Sequence, residues 1–291
     1  MDKMKKIGAK ILDGAFLIFC LLVVLFIMQL FCYTSFRIPS DSMEPALEDG
    51  DRILVNKMIK GARLFDVFSA LDKEEVTIYR MPGFGDFKRN DILVFNFPYQ
   101  MNRWDSIRMD VMQYYVKRCI ALPGDTLEIR NGFYKIRGWN EPLGNYKAQQ
   151  YLSELQHPGQ YGIVIGTFPY DKQLRWTIRE FGPLSIPKKD QTVMMNRTNC
   201  LLYRQLIGWE QKKKLRIKDG QIVLGDSVIA QYRFKKNYYF VSGDNMANSQ
   251  DSRYWGMLPE EYIVGKATRI WYSEDKFTEK PRWSRIMKKI K

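Results

Sequence analysis

The sequence predicts a mostly β protein: an antiparallel sheet core, with a second β region inserted into it, behind one membrane-length helix at the amino terminus. Three observations predict it. Short segments rich in β-branched and aromatic residues recur along the chain. Turn signals separate them. A single apolar stretch near the start is long enough to cross a bilayer.

That stretch runs from Gly14 to Tyr33 and holds one strongly polar residue, Gln29. About twenty residues rising about 1.5 Å each span roughly the 30 Å hydrocarbon core. Lys3, Lys5, Lys6 and Lys10 precede it, so the positive-inside tendency keeps residues 1–13 cytoplasmic and puts everything past Tyr33 outside. A cleaved leader would have a shorter apolar core and end at a small-x-small site. Phe31-Cys32-Tyr33-Thr34-Ser35-Phe36 offers none.

The strand-like runs follow: Arg52 to Val55, Asp91 to Phe95, Tyr114 to Leu122, Thr126 to Ile129, Gln221 to Leu224 and Tyr238 to Val241. Asp49-Gly50-Asp51, Pro123-Gly124-Asp125, Asn131-Gly132, Asp219-Gly220 and Gly243-Asp244-Asn245 mark turns. Helix is expected only at Ala148 to Leu155 and in the tail, where Trp283, Ile286, Met287 and Ile290 recur at helical spacing. The expected organisation is a cytoplasmic segment 1–13, an anchor 14–33, a core of 34–130 with 236–275, an insert 131–235, and a basic tail 276–291.

With 291 residues, 45% of them hydrophobic, the chain has enough apolar material for a real core. Its net charge of +14 comes from scattered lysines and arginines. No nucleic-acid motif accompanies them, so anionic lipid headgroups are the expected partner and nucleic acid is not. Cys20 and Cys32 lie in the anchor as apolar filler. Cys119 and Cys200 would lie outside, where a disulfide is chemically permitted, although Cys119 in an apolar strand reads as a small buried hydrophobe. No Cys-x-x-Cys pair points to zinc, and no cofactor is expected.

The only histidine, His157, sits in a Gln-His-Pro-Gly loop of the insert with nothing local to make it a catalytic base. The serine-rich turn Ile38-Pro39-Ser40-Asp41-Ser42-Met43-Glu44-Pro45 therefore needs another base, because a free hydroxyl is a poor nucleophile. Lysine serves if burial keeps it neutral. Lys117 lies in the apolar strand Tyr114-Tyr115-Val116-Lys117-Arg118-Cys119-Ile120, where alternation puts Tyr115, Lys117 and Cys119 on one face. Lowering its pKa from about 10.4 toward 8 would cost about 3 kcal/mol. Taken alone, the strand better suits an edge lysine in water.

Three blocks, in order, resemble the bacterial type I signal peptidases, membrane-anchored serine proteases that remove leader peptides. They are Ile38 to Pro45 with Gly50-Asp51-Arg52-Ile53-Leu54-Val55; Tyr115 to Asp125; and Gly243-Asp244-Asn245 with Ser249 and Asp251-Ser252-Arg253-Tyr254-Trp255-Gly256. The resemblance implies a mostly β fold with an inserted second β domain. It implies Ser42 as nucleophile and Lys117 as general base, with Ser40 and the Ser42 N–H as oxyanion donors. Ser249 would orient the lysine, and Asp244, Asp251 and Arg253 would support the site. Phe36, Ile38, Met43, Leu47, Tyr115 and Val116 would line shallow pockets for small side chains. The implied partners are secretory preproteins and the lipid bilayer, with a secretion translocon left open. The implied location is the extracytoplasmic face of a bacterial cytoplasmic membrane. Ser42 lies nine positions past Tyr33, at most about 30 Å even fully extended, which keeps it near that face.

The chain departs from the family pattern at Ala46, where threonine is usual, at Met246-Ala247, where an arginine usually follows, and at Asn90, which replaces a usual glycine. Rival readings are a Ser-x-x-Lys transpeptidase, a self-cleaving repressor and a membrane-tethered β-rich binding protein. Ser185-Ile186-Pro187-Lys188 and Ser273-Glu274-Asp275-Lys276 match the first literally, but Lys-Thr-Gly is absent. Asn196-Arg197-Thr198 fits a glycosylation acceptor, a three-residue match of little weight.

Overall fold

The computed structural model describes residues 2–290. Met1 and Lys291, at the ends of the expected cytoplasmic and tail segments, lie outside the described residues, as do the side chains of Lys3, Lys5 and Lys6. The first element is a helix, Asp2–Phe31, whose Lys10–Phe31 portion is long and apolar enough to cross a membrane and has no protein packed over it. The helix begins before the expected start at Gly14 because nothing between Asp2 and Asp13 breaks it.

Strand Tyr33–Arg37 follows directly and forms one edge of the main sheet. The order continues through Asp51–Asn56, Ile263–Ser273, Ile92–Phe97, Asp110–Ala121, Tyr238–Ser242 and Leu258–Pro259, every pair antiparallel. Asp51–Asn56 alternates buried and half-buried residues, as a strand with one covered face does. Ile92–Phe97 is buried throughout, as a central strand covered on both faces must be. Ile263–Ser273 went unread in the sequence, yet it joins the two halves of the sheet. Gly265 sits inside it because an added Cβ would come within 2.3 Å of the Asn56 carbonyl oxygen.

The insert carries small sheets of its own. Thr126–Arg130 pairs with Phe133–Ile136 and with Phe181–Ser185, so the expected boundary at 130/131 falls inside a hairpin. The helix expected at Ala148 to Leu155 is Tyr146–Glu154. A second helix, Arg197–Gln211, was not anticipated. Asn196 caps it by accepting a hydrogen bond from the Asn199 N–H, a local reason for an asparagine at that position. Insert residues such as Leu152, Phe181 and Leu206 share one apolar cluster with Phe95, Phe97 and Phe240 of the main sheet and with Trp255 of the short helix Ser252–Trp255.

A smaller cluster, including Ile38, Met43, Leu47, Ile53, Val55 and Val94, lies under the serine turn. The tail is not the expected helix. Trp283–Arg285 is a short 3₁₀ turn, and Lys288–Lys289 pairs with Ile263–Ser273. Its basic residues have specific acidic partners: Arg285 holds buried Asp51 through Nε at 3.0 Å and Nη2 at 2.6 Å, and Glu48 through Nη1 at 2.6 Å. Cys119 and Cys200 are both free, buried thiols.

Candidate active site

The serine turn stands on the small apolar cluster. Met43 and Leu47 plug it into the core, Leu47 N donates to Met43 O at 3.0 Å, and Glu44 N donates to Asp41 O at 2.9 Å. From the far end of the sequence the segment after strand Tyr238–Ser242 clamps the turn. Asn245 N donates to the Ser42 carbonyl at 3.1 Å, and Asn248 Nδ2 donates to the Asp41 carboxylate at 2.9 Å. Gly243 makes that clamp sterically feasible, since an added Cβ would lie 2.2 Å from Ser249 Oγ and 2.5 Å from Ser42 O.

Lys117 projects from strand Asp110–Ala121 to meet this turn. Its Nζ and Ser42 Oγ are hydrogen-bonded at 2.6 Å. Lys117 is 4% exposed, and its pKa is lowered from 10.5 to about 8, chiefly because burial strips the ammonium of water. Nearby Arg253 pushes the same way, whereas Asp251, Asp244 and Asp41 resist. The shift corresponds to about 3 kcal/mol, at 1.36 kcal/mol per unit. The amine lies beside the Tyr115 ring, 5.6 Å from its centroid, and that ring stacks on Phe97 at 4.4 Å.

Behind the pair is a buried polar network. Arg253 and Asp251 are both fully enclosed and joined by Nε and Nη2 bonds of 2.8 Å each. Burial opposes ionisation of Asp251, but the Arg253 charge and the bonds from Arg253 and the Gly243 N–H hold its pKa below the ordinary value. Asp244 is paired with Arg118 at 2.7 and 2.6 Å, a partner that strand alternation alone did not assign. Arg118 also donates to the Asn90 carbonyl at 2.8 Å. Asn90 has φ 68, the left-handed conformation that asparagine tolerates better than most residues, which accounts for its standing where glycine is usual.

Ser40 is exposed, its Oγ 3.4 Å from Ser42 Oγ. Ser249 Oγ is enclosed against Gly243, near enough to Asp251 to help hold that carboxylate's pKa down, and no bond joins it to Lys117. A cleft of about 350 Å³ opens beside Ser42, lined by Phe36, Ile38, Met43, Tyr115 and Val116 among others. Leu47 is a correction: it is fully buried beneath the turn and does not reach the cleft. Arg37, Pro39, Tyr114 and Gln250 also line it and were not anticipated there. Gln250 accepts a 2.9 Å hydrogen bond from Tyr115 OH, another lining residue. Its only signal in the sequence is its place between Ser249 and Asp251. A larger depression of about 560 Å³, around Phe65, Glu74 and Tyr79, involves none of the paired residues.

Residues 11–272 match the family described as signal peptidase, peptidase S26. The chain belongs to the signal peptidase family. It is 29% identical over 280 residues to signal peptidase I of Pseudomonas aeruginosa, covering 92% of this chain and 75% of that protein. It is 31% identical over 255 residues to signal peptidase I of Aquifex aeolicus, covering 87% and 80%. A crystal structure of a signal peptidase I from Enterococcus faecalis V583 is 20% identical and covers 63% of this chain and 98% of its own, with a TM-score of 0.29. The literal transpeptidase matches of this signal peptidase do not fall on helices: Ser185 ends strand Phe181–Ser185, and Ser273 ends strand Ile263–Ser273, where its hydroxyl bonds to Asp51.

Proposed function

We propose that this signal peptidase removes amino-terminal leaders from exported preproteins with a Ser42–Lys117 dyad, working at the outer face of a bacterial cytoplasmic membrane. The observation that carries the reading is the 2.6 Å bond between Ser42 Oγ and a buried lysine whose pKa is lowered to about 8. A neutral amine accepts the Ser42 proton as Oγ attacks the scissile carbonyl. The Ser40 hydroxyl and the Ser42 N–H donate to the oxyanion, an interaction worth about 3 kcal/mol where charge develops. Collapse breaks the C–N bond, and the Lys117 ammonium returns its proton to the leaving amine. The remaining acyl-enzyme is cleared by a water that Lys117 deprotonates in turn, restoring Ser42.

Asp251 and Arg253 hold the Gly243–Ser249 clamp, Asp244 fixes the strand through Arg118, and Ser249 takes the role of orienting the amine through a bond that forms with substrate bound. Phe36, Ile38, Met43, Tyr115 and Val116 make shallow apolar walls that suit small residues at the first and third positions before the cut. The test is purified protein incubated with a panel of secretory precursors, the new amino terminus being sequenced. Cleavage after small-x-small sites, lost in Ser42→Ala, is expected. Equal cleavage after large or charged residues at the first position would refute the pocket assignment.

A further inference from the structure

The anchor joins the catalytic sheet without a linker. The helix ends at Phe31, Cys32 N still bonds back to Met28 O at 2.8 Å, and strand Tyr33–Arg37 begins at the next residue. A helix end leaves its last carbonyls without partners and carries partial negative charge, which a lysine side chain satisfies on both counts. Lys57, arriving just after strand Asp51–Asn56, does this here. Its Nζ donates to Gln29 O at 2.8 Å and to Leu30 O at 3.1 Å, while its own N–H donates to Cys32 O at 2.8 Å. The strands on either side are paired from the first residue, Tyr33 opposite Asn56, and Trp271 Nε1 bonds to Ser35 Oγ at 2.7 Å. The same edge strand carries Phe36 into the cleft.

We infer that Lys57 is a positioning residue: it locks the anchor to the sheet edge, so that the anchor is a rigid strut setting the height of the cleft above the bilayer. The inference rests on the proposed cleavage of membrane-inserted precursors. It makes the sharpness with which the enzyme reads the distance between a precursor's apolar segment and its cleavage site depend on Lys57. Lys57 lines no part of the cleft, so it acts through the angle and height at which the anchor leaves the sheet.

The experiment uses the full chain in lipid vesicles, with precursors whose spacing between apolar segment and cleavage site is varied one residue at a time. A short soluble peptide serves as second substrate. The wild type should show a sharp optimum of spacing. Lys57→Met should broaden that optimum and lower the rate at it by about tenfold, short of the roughly hundredfold that misplacement by about an ångström can cost. Its rate on the soluble peptide should be unchanged, and Lys57→Arg, whose guanidinium still donates to carbonyls, should restore the sharp profile. An unaltered spacing profile in Lys57→Met would overturn the inference, as would an equal fall on both substrates, which would mean a general loss of fold. If the wild type cleaves neither substrate, the proposed function fails instead.

Discussion

Lys117 is expensive for the fold, and the proposed chemistry depends on it. In the unfolded chain its amine titrates near 10.5, and in the folded protein near 8. Below pH about 8 both states are protonated, and the folded state bears the cost of a buried ammonium; that cost fades as pH rises toward 10.5. Lys117→Met should therefore abolish activity yet raise stability at pH 7 by up to about 3 kcal/mol, less the bond lost to Ser42. The gain should shrink as pH approaches 10. Denaturant unfolding of both proteins at the two pH values measures this, and a gain independent of pH would mean that the shift is not a property of the fold. The resemblance of three ordered blocks led to the expectation that Ser42 and Lys117 belong to one site, and the two side chains do meet. The cleft wall was less legible. Leu47 was placed in the lining by resemblance to the family alone, and in the structure it is buried in the small apolar cluster beneath the turn. Gln250 could not be found, because its role depends on a bond to Tyr115 across 135 positions of sequence.

At the scale of elements, the serine turn is held by two distant segments. One is the Gly243–Arg253 stretch, and its most exacting requirement is the bare Cα of Gly243. Gly243→Ala should cost activity far beyond its effect on global stability, because its methyl group would displace Ser42 O and Ser249 Oγ together. Thermal unfolding beside peptide turnover separates the two effects; full turnover would show that the clamp yields without moving the dyad. Removing one half of the buried pair, as in Asp251→Ala, should destabilise the fold by about 3–5 kcal/mol through an uncompensated Arg253 charge. The other segment is the tail, whose Arg282 and Arg285 bind Glu48 and Asp51 just beyond the serine turn. Apolar periodicity suggested a helix there. Pairing with strand Ile263–Ser273 and four nearby carboxylate bonds outweigh a pattern of only a few residues. Helix Arg197–Gln211 was the reverse case. Cys200, Tyr203, Leu206 and Ile207 do recur at helical spacing and are buried, but Asn196-Arg197-Thr198 was read for chemistry instead of as a cap.

For the whole molecule, the apolar helix and the charge of +14 both favour residence at a membrane. Residues 34–291 without the anchor should keep their turnover of a short soluble peptide and lose much of it on precursors in vesicles. The anchor contributes local concentration and placement, not bond chemistry. Residual affinity of the truncated protein for anionic vesicles should weaken with salt. A fall by the same factor on both substrates would show that the helix is needed to build the active site.

The central claim is that a buried, neutral Lys117 activates Ser42. Its most direct test is the rate of precursor cleavage from about pH 6 to 10, for the wild type and Lys117→Arg. The wild-type rate should climb on an acidic limb with its midpoint near 8, the value burial imposes on Lys117. The arginine variant should be inactive at every pH, because guanidinium stays protonated throughout. Turnover by Lys117→Arg, or a limb near about 6.5 as an imidazole base would give, would contradict the account.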